Sequence, residues 1–188
     1  MKNSFLTGKQ IYLSPISKDD ITADYVSWLN DKDVCRDNSH ATFPNNVEKT
    51  IAYVDSVSRS NSEIVLAIRW KKNDLHIGNI SLQRINWVSR SAELAIIIGN
   101  KKYWNKGVGT EAYSLMIDYA FDRLNLNRIS SGQTLRNKGM INVCIKCGMK
   151  EEGIARESMF KEGEYIDTVT YSILSKEREK QNLLKGKA

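Results

Sequence analysis

The sequence predicts an α/β fold: a mixed, largely antiparallel sheet with helices on both faces. Two observations carry that prediction. Three β-type runs, at 63–70, 75–85 and 91–98, follow one another with only short turns between them, which makes an antiparallel meander. A strand–helix–strand unit over 91–134 then supplies one parallel, right-handed crossover. The full order reads β-α-α-β-β-β-α-β-α-β-β in one domain over 1–175, followed by a basic tail at 176–188.

The elements follow in order. Residues 11–15 form a short first strand. Ser17, ahead of Asp19 and Asp20, starts a helix running to about residue 30, with Ile21, Tyr25, Trp28 and Leu29 at helical spacing. The polar stretch 31–46 is a loop. A second helix covers 47–59, with Ile51, Val54 and Val57 on one side. The meander turns at Lys72-Asn73-Asp74 and again at 86–90. An apolar helix over 111–124 precedes a strand at 128–134. A short helix over 138–146 ends at Gly148, a helix-terminating glycine. Strands at 149–160 and 165–174 close the chain around a turn at Gly163.

The 188 residues are 41% hydrophobic and 27% charged, as in ordinary globular proteins. No apolar run approaches the roughly 20 residues that span a bilayer, and the first residues lack the apolar core of a signal peptide. Three cysteines, Cys35, Cys144 and Cys147, fit a reducing compartment better than a disulfide scaffold. A cytoplasmic protein with no membrane partner is expected. Of the formal net charge of +6, half lies in 176–187, where five basic residues outnumber two acidic ones; this reads as a solvated helix end that frays. The body is mildly basic, which suits an anionic small ligand, and no nucleic-acid motif is present. Cys144 and Cys147 spell C-x-x-C, but no second ligand pair accompanies them, so no metal is expected.

The most informative stretch is Lys102-Tyr-Trp-Asn-Lys-Gly-Val-Gly-Thr-Glu-Ala112, where a loop turns into a helix. Backbone N–H groups there lack intrahelical partners, and the helix dipole is positive. Glycines let a ligand approach the backbone, so this is a phosphate site, flanked by Lys101, Lys102 and Lys106. It is not a P-loop, which needs G-x-x-x-x-G-K-[ST]. Gly107-Val-Gly-Thr-Glu-Ala112 matches the dinucleotide pattern G-x-G-x-x-[GA]. The context argues against that reading: eight residues separate Ile98 from Gly107, a meander precedes, and no acidic residue between Asp122 and Glu151 is available for a ribose.

Trp104–Ala112 closely resembles the acetyl-coenzyme A motif of the GNAT N-acetyltransferases, and most of all the RimJ/RimL-like branch. Ala92-Glu-Leu-Ala-Ile-Ile-Ile-Gly99 resembles the strand that precedes that motif. Asn137 and Lys146-Cys-Gly-Met-Lys-Glu-Glu-Gly153 resemble the family's N…K-x-G-F-x-x-E-G segment. Tyr12-Leu-Ser-Pro15 and Trp28-Leu-Asn-Asp31 resemble its amino-terminal part, so the likeness covers about residues 10–175.

The resemblance implies that the strands at 91–98 and 128–134 splay apart around acetyl-CoA, the co-substrate. Pantetheine would pair with the backbone of Ile96, Ile97 and Ile98. The pyrophosphate would sit on Lys106, Gly107, Val108, Gly109 and Thr110, next to Trp104, with Asn137 bonded to the pantetheine. Glu111 would have to turn away from that phosphate. Glu93, beside the thioester in an apolar run, is the candidate base, with a pKa raised by desolvation. The family commonly places a tyrosine seven residues after the asparagine, as general acid; here Cys144 stands there, a thiol that could donate but reads better as a buried small apolar residue, with water or another hydroxyl protonating the thiolate and Tyr103 and Ser130 as weak substitutes. His40, Phe43, Arg84, Asn86 and Trp87 are candidate acceptor contacts. The implied activity is acetyl transfer to a primary amine of a small molecule, for preference an amino-sugar nucleotide. Alternatives are a protein N-terminus or an inactive acyl-CoA-binding module. A homodimer is common in the family.

Overall fold

A computed structural model describes residues 3–185. Eight strands make one sheet: β1 (Leu6–Thr7), β2 (Ile11–Pro15), β3 (Ile64–Trp70), β4 (Leu75–Asn86), β5 (Ser91–Ile98), β6 (Arg128–Thr134), β7 (Lys150–Lys161) and β8 (Glu164–Leu174). Their order is β1-β2-β3-β4-β5-β6-β8-β7, antiparallel throughout except for the parallel β5–β6 pair. The helices are α1 (Ala23–Trp28), α2 (Val47–Ser58), α3 (Val108–Asp122), α4 (Lys138–Lys146) and α5 (Ser175–Lys185). None of the described helices is long and apolar enough to cross a membrane.

The alternation of side chains along the strands divides the core. Leu13, Ile68, Ile80, Leu94 and Ile129 face α3, whose stripe Ala112, Tyr113, Met116, Ile117 and Ala120 is fully buried against them. A smaller cluster on the opposite face joins Tyr25, Trp28, Leu29, Val34 and Cys35, with Ile97 beneath it. Gly99 fits under Trp28 because it has no side chain: a Cβ there would lie 1.9 Å from Trp28 Cδ2.

Four elements differ from the sequence reading. The first helix is broken. A reciprocal Ser17–Asp20 capping box closes a 3-10 turn at Lys18–Asp20, and Thr22 then caps α1 by accepting from the Tyr25 N–H at 3.2 Å. Ile21 ends the 3-10 turn and Thr22 is extended, both β-branched and outside helical geometry, so the helix restarts there instead of continuing. α3 begins at Val108, three residues early, because Gly107 in the left-handed region (φ +79°) serves as its N-cap. β1 has two residues, too few for a periodic signal. The basic segment expected as a fraying tail forms α5 as far as Lys185; residues 186–188 lie outside the described residues. Arg178, 5% exposed, anchors α5 with two bonds to the Asp118 carboxylate, at 2.7 and 2.9 Å, and one to Ser114 Oγ at 2.6 Å.

Arg128, Glu152 and Ser172 tie β6, β7 and β8 together below the splay, with Glu152 Oε1 accepting at 2.6 Å from both partners. Arg128, and then the Ser172 hydroxyl, hold the Glu152 carboxyl down at about 2. A depressed folded-state pKa stabilises the fold fully above the ordinary carboxylate range, and that contribution is lost as pH falls toward about 2. The stability gap between wild type and Arg128→Met is therefore expected to be flat above about pH 5 and to close on acidification. Denaturant midpoints measured across pH check this; a gap that widens in acid contradicts it.

Candidate active site

The site begins where one ladder stops. β5 and β6 are paired only at Ser91↔Arg128, Ala92↔Ile129 and Glu93↔Ser130. Beyond that, β5 stays paired with β4 as far as Ile98, and β6 stays paired with β8 as far as Thr134. Each strand follows its outer neighbour, and a V opens between them. Tyr113 of α3 is the wedge. Its fully buried hydroxyl donates to the Leu94 carbonyl at 3.2 Å and lies 3.0 Å from Ser131 Oγ, one residue past the last pair on each strand. The Ala92, Leu94 and Ile98 carbonyls accept from Ser130, Tyr113 and Trp104 on this side. By alternation, Ile96 turns its N–H and C=O into the gap, where β6 no longer supplies a partner. An extended, amide-bearing chain fits that edge.

The V opens into a cleft of about 720 Å³, walled by Leu94–Ile98, Ser131–Gln133, α4 and the loop at 103–110. At its far end the N–H groups of Val108, Gly109 and Thr110 precede the first helical bond, from Glu111 N to Gly107 O, and so lack helical partners. The loop is braced from outside: the Trp104 indole donates to the Ile98 carbonyl at 2.7 Å, and Gln10 Nε2 donates to the Lys106 carbonyl at 3.2 Å. Glu111 does turn away, its Oε1 accepting from the Gln10 N–H at 2.9 Å. Gly8 makes room for it, since a Cβ there would lie 2.1 Å from that oxygen. This end of the cleft therefore offers donors and positive potential, with the Glu111 carboxylate turned away from it. Of the three flanking lysines, Lys101 is committed elsewhere, to Asp31 at 2.9 Å and Asp33 at 2.7 Å.

Those two carboxylates belong to the segment 31–38, which crosses the wide end of the V. It is fixed to the β5 side through Lys101. It is fixed to the β6 side through Asp37, which accepts from Thr134 Oγ1 at 2.6 Å and Arg136 Nε at 2.9 Å. Asp33, Arg36, Asp37 and Asn38 thus become cleft residues, which polarity alone did not single out.

The other expected residues fall as follows. Asn137 lines the cleft and caps α4, its Oδ1 accepting from the Met140 N–H at 3.1 Å. Cys144 is fully buried behind the cleft wall. Its Sγ lies 3.6 Å from Gln133 Oε1, and burial pushes its thiol up to about 11, so it stays protonated at neutral pH. The thiol itself does not line the cleft; it meets it only through Gln133. Ser130 Oγ rests 3.4 Å from the Ala92 carbonyl, and Tyr103 packs on Trp70. Glu93 is in the last ladder pair, at the apex, on the face away from α3. The apolar enclosure expected around it is absent: its side chain is 46% exposed and bonded to Arg84 at 2.9 Å.

The structure does not bring the five acceptor candidates together. Arg84, Asn86 and Trp87 lie at the β4–β5 hairpin, where Asn86 caps the turn through Ser89 and the Trp87 indole donates to the Asn61 carbonyl. His40 and Phe43 belong to the loop across the other end of β5, a strand roughly 23 Å long at 3.3 Å per residue. None of the five lines the cleft. The residues that do, and that the sequence reading missed, include Tyr113, Ser131, Gly132 and Gln133. Ser131 and Gln133 alternate with Ile129 on the buried face of β6, a polar pair on a core-facing stripe.

A family model described as an acetyltransferase (GNAT) domain matches residues 10–150. The chain belongs to the GNAT acetyltransferase family. This GNAT chain is 30% identical over 183 residues to the "Probable N-acetyltransferase YjcK" of Bacillus subtilis, a match that covers 93% of this chain and 99% of that one. It is 35% identical over 98 residues to a spermidine N(1)-acetyltransferase of Vibrio cholerae, covering 52% of this chain and 56% of the relative. In fold it is similar to the crystal structure of spermidine N-acetyltransferase from Vibrio cholerae in complex with CoA and spermine, with a TM-score of 0.83, 24% identity and coverage of 92% and 99%. The GNAT chain is an N-acetyltransferase with acetyl-CoA as co-substrate.

Proposed function

We propose that this GNAT enzyme moves an acetyl group from acetyl-CoA directly to the primary amine of a small molecule, and that the preferred acceptor is neutral or anionic, as an amino-sugar nucleotide is. One observation carries the acceptor reading. The only carboxylates among the described cleft residues, Asp33 and Asp37, are already neutralised, Asp33 by Lys101 and Arg36 and Asp37 by Arg136. A polycation would have to displace those partners.

Acetyl-CoA would enter along Ile96 from the α3 side, its pyrophosphate on the N–H groups of 107–110 and its pantetheine held by Ile96–Ile98 and Asn137. The amine would approach from the other face, through the window between Ala95 and Gly132. A Cβ at Gly132 would meet nothing within 4 Å, so that window is open. Glu93 borders the window at its closed end and is exposed enough to take the amine proton through water, with Arg84 holding the carboxylate in place. The nitrogen then attacks the thioester carbon, and the sulfur leaves with the electron pair.

Gly132→Leu tests the two-sided geometry. Acetyl-CoA affinity should stay within about threefold while transfer falls roughly tenfold or more, because the acceptor is displaced from attack distance. The acceptor class is decided by turnover on amino-sugar nucleotides, spermidine and a peptide amine. Turnover on the first alone supports the reading, and preference for spermidine or the peptide overturns it. Acetyl-CoA binding with no turnover on any amine would instead mark an acyl-CoA-binding module.

A further inference from the structure

The proposed reaction leaves a negative sulfur without an assigned partner, because Cys144 stands where the family commonly has a tyrosine and is sealed behind the wall. One group is placed to meet that charge. Gln133 is 5% exposed, lines the cleft, and lies three residues past the last β5–β6 pair. Its Oε1 is held from behind: Ser131 Oγ donates to it at 3.3 Å, and Cys144 Sγ donates at 3.6 Å. Its Nε2 is buried with no hydrogen-bond partner among the described residues. A buried amide nitrogen with idle N–H groups is costly unless an acceptor comes to it.

The position matches. By strand register Gln133 faces Ile96 across the V, and its side chain is on the α3–α4 side, the side from which pantetheine would enter. A thioester whose pantetheine amide pairs at Ile96 carries its sulfur beside this amide. The terminal torsion of a glutamine is broad, so a modest turn brings Nε2–H onto the sulfur while Oε1 keeps its tethers.

We propose that Gln133 is the hydrogen-bond donor that stabilises the leaving thiolate, with Ser131 and Cys144 as positioning residues that orient its amide. This rests on the acetyl-transfer reading above. The amine nitrogen bonds to the thioester carbon, the C–S bond breaks, and the electron pair stays on sulfur. Gln133 donates a hydrogen bond to that sulfur and gives up no proton; the thiolate takes its proton afterwards from water. Cys144 acts only through Gln133, which accounts for a cysteine at this place without requiring it to act as an acid.

The test is Gln133→Met, which keeps the length and removes both donors. The maximal rate should fall about 100-fold or more with the acetyl-CoA KM nearly unchanged, as when one preorganised donor is removed from a developing charge. The thiol of bound CoA, titrated by its ultraviolet thiolate absorbance, should ionise at higher pH in Gln133→Met than in wild type. Cys144→Ala should produce a smaller change in the same direction. An unchanged rate and an unchanged thiol titration with CoA still bound overturn the role of Gln133 alone. Loss of CoA binding by wild type overturns the underlying reading as well. Should Gln133→Met fail to fold, wild type serves. CoA should gain affinity over desulfo-CoA as pH rises through the thiol range, and an equal affinity at every pH overturns the proposal.

Discussion

Gly107→Val is expected to lower acetyl-CoA affinity by about 100-fold, roughly 2.8 kcal/mol, while leaving the protein folded. Crowding is not the cause, since a Cβ at Gly107 would meet only Gln10 Nε2, at 3.9 Å. The cause is conformational. Gly107 sits at φ +79°, where a β-branched residue is strained by about 1–3 kcal/mol. Relief of that strain turns the peptide planes on either side, and those planes carry the N–H groups that would face the pyrophosphate. Calorimetric titration reads the affinity, and a thermal melt should show a loss of roughly 3–10 °C. Wild-type affinity in Gly107→Val would mean that the phosphate contacts lie elsewhere.

The largest expected effect on stability lies on the opposite face. Arg69, 12% exposed, is ion-paired with Asp20, 3% exposed, and donates to Ser14 Oγ at 2.9 Å. Arg69→Met leaves a buried carboxylate without its guanidinium partner, still bonded to the Ser17 N–H and hydroxyl at 2.9 and 3.1 Å. Removing one partner of such a pair destabilises by about 3–5 kcal/mol, a melting loss on the order of 10 °C. Most of that cost is the stranded charge, so Asp20→Asn in the same chain should recover part of it, and a double-mutant cycle measures the coupling. A cycle with no coupling contradicts the account. Acetyl-CoA affinity below the melting range should be unaffected, because the loop at 103–110 belongs to the other layer.

The glycine loop and the helix it opens are written locally, and their placement was legible for that reason. Gly107, Gly109 and the apolar stripe of α3 sit within fifteen residues of sequence, and the meander and crossover follow from runs and turns. Glu111, so close to that loop in sequence, could be read only as having to point away. What it points to, the turn at Gly8–Gln10, is a contact across about a hundred residues. The cleft wall across the wide end of the V is built from such contacts. The segment 31–38 becomes a wall of the cleft through Lys101, Thr134 and Arg136, and nothing in a polar loop announces those partners. Glu93 was placed by its apolar neighbours in sequence, yet strand alternation turns it to the open face, where Arg84 meets it. Arg84, read in a strand, and His40, read in a loop, were grouped as candidate acceptor contacts, whereas β5 holds them at opposite ends. Arg178 looked like one more charge in a basic tail, until Asp118 and Ser114 of α3 took it into the interior.

The central claim is that the V between β5 and β6 is the acetyl-CoA site. A crystal structure of the protein with CoA tests it most directly. The account predicts pyrophosphate oxygens on the N–H groups of Gly107–Thr110, a pantetheine amide paired with Ile96, and the sulfur beside Gln133. CoA bound outside the V, or bound in it with its phosphates away from Gly107, would contradict it.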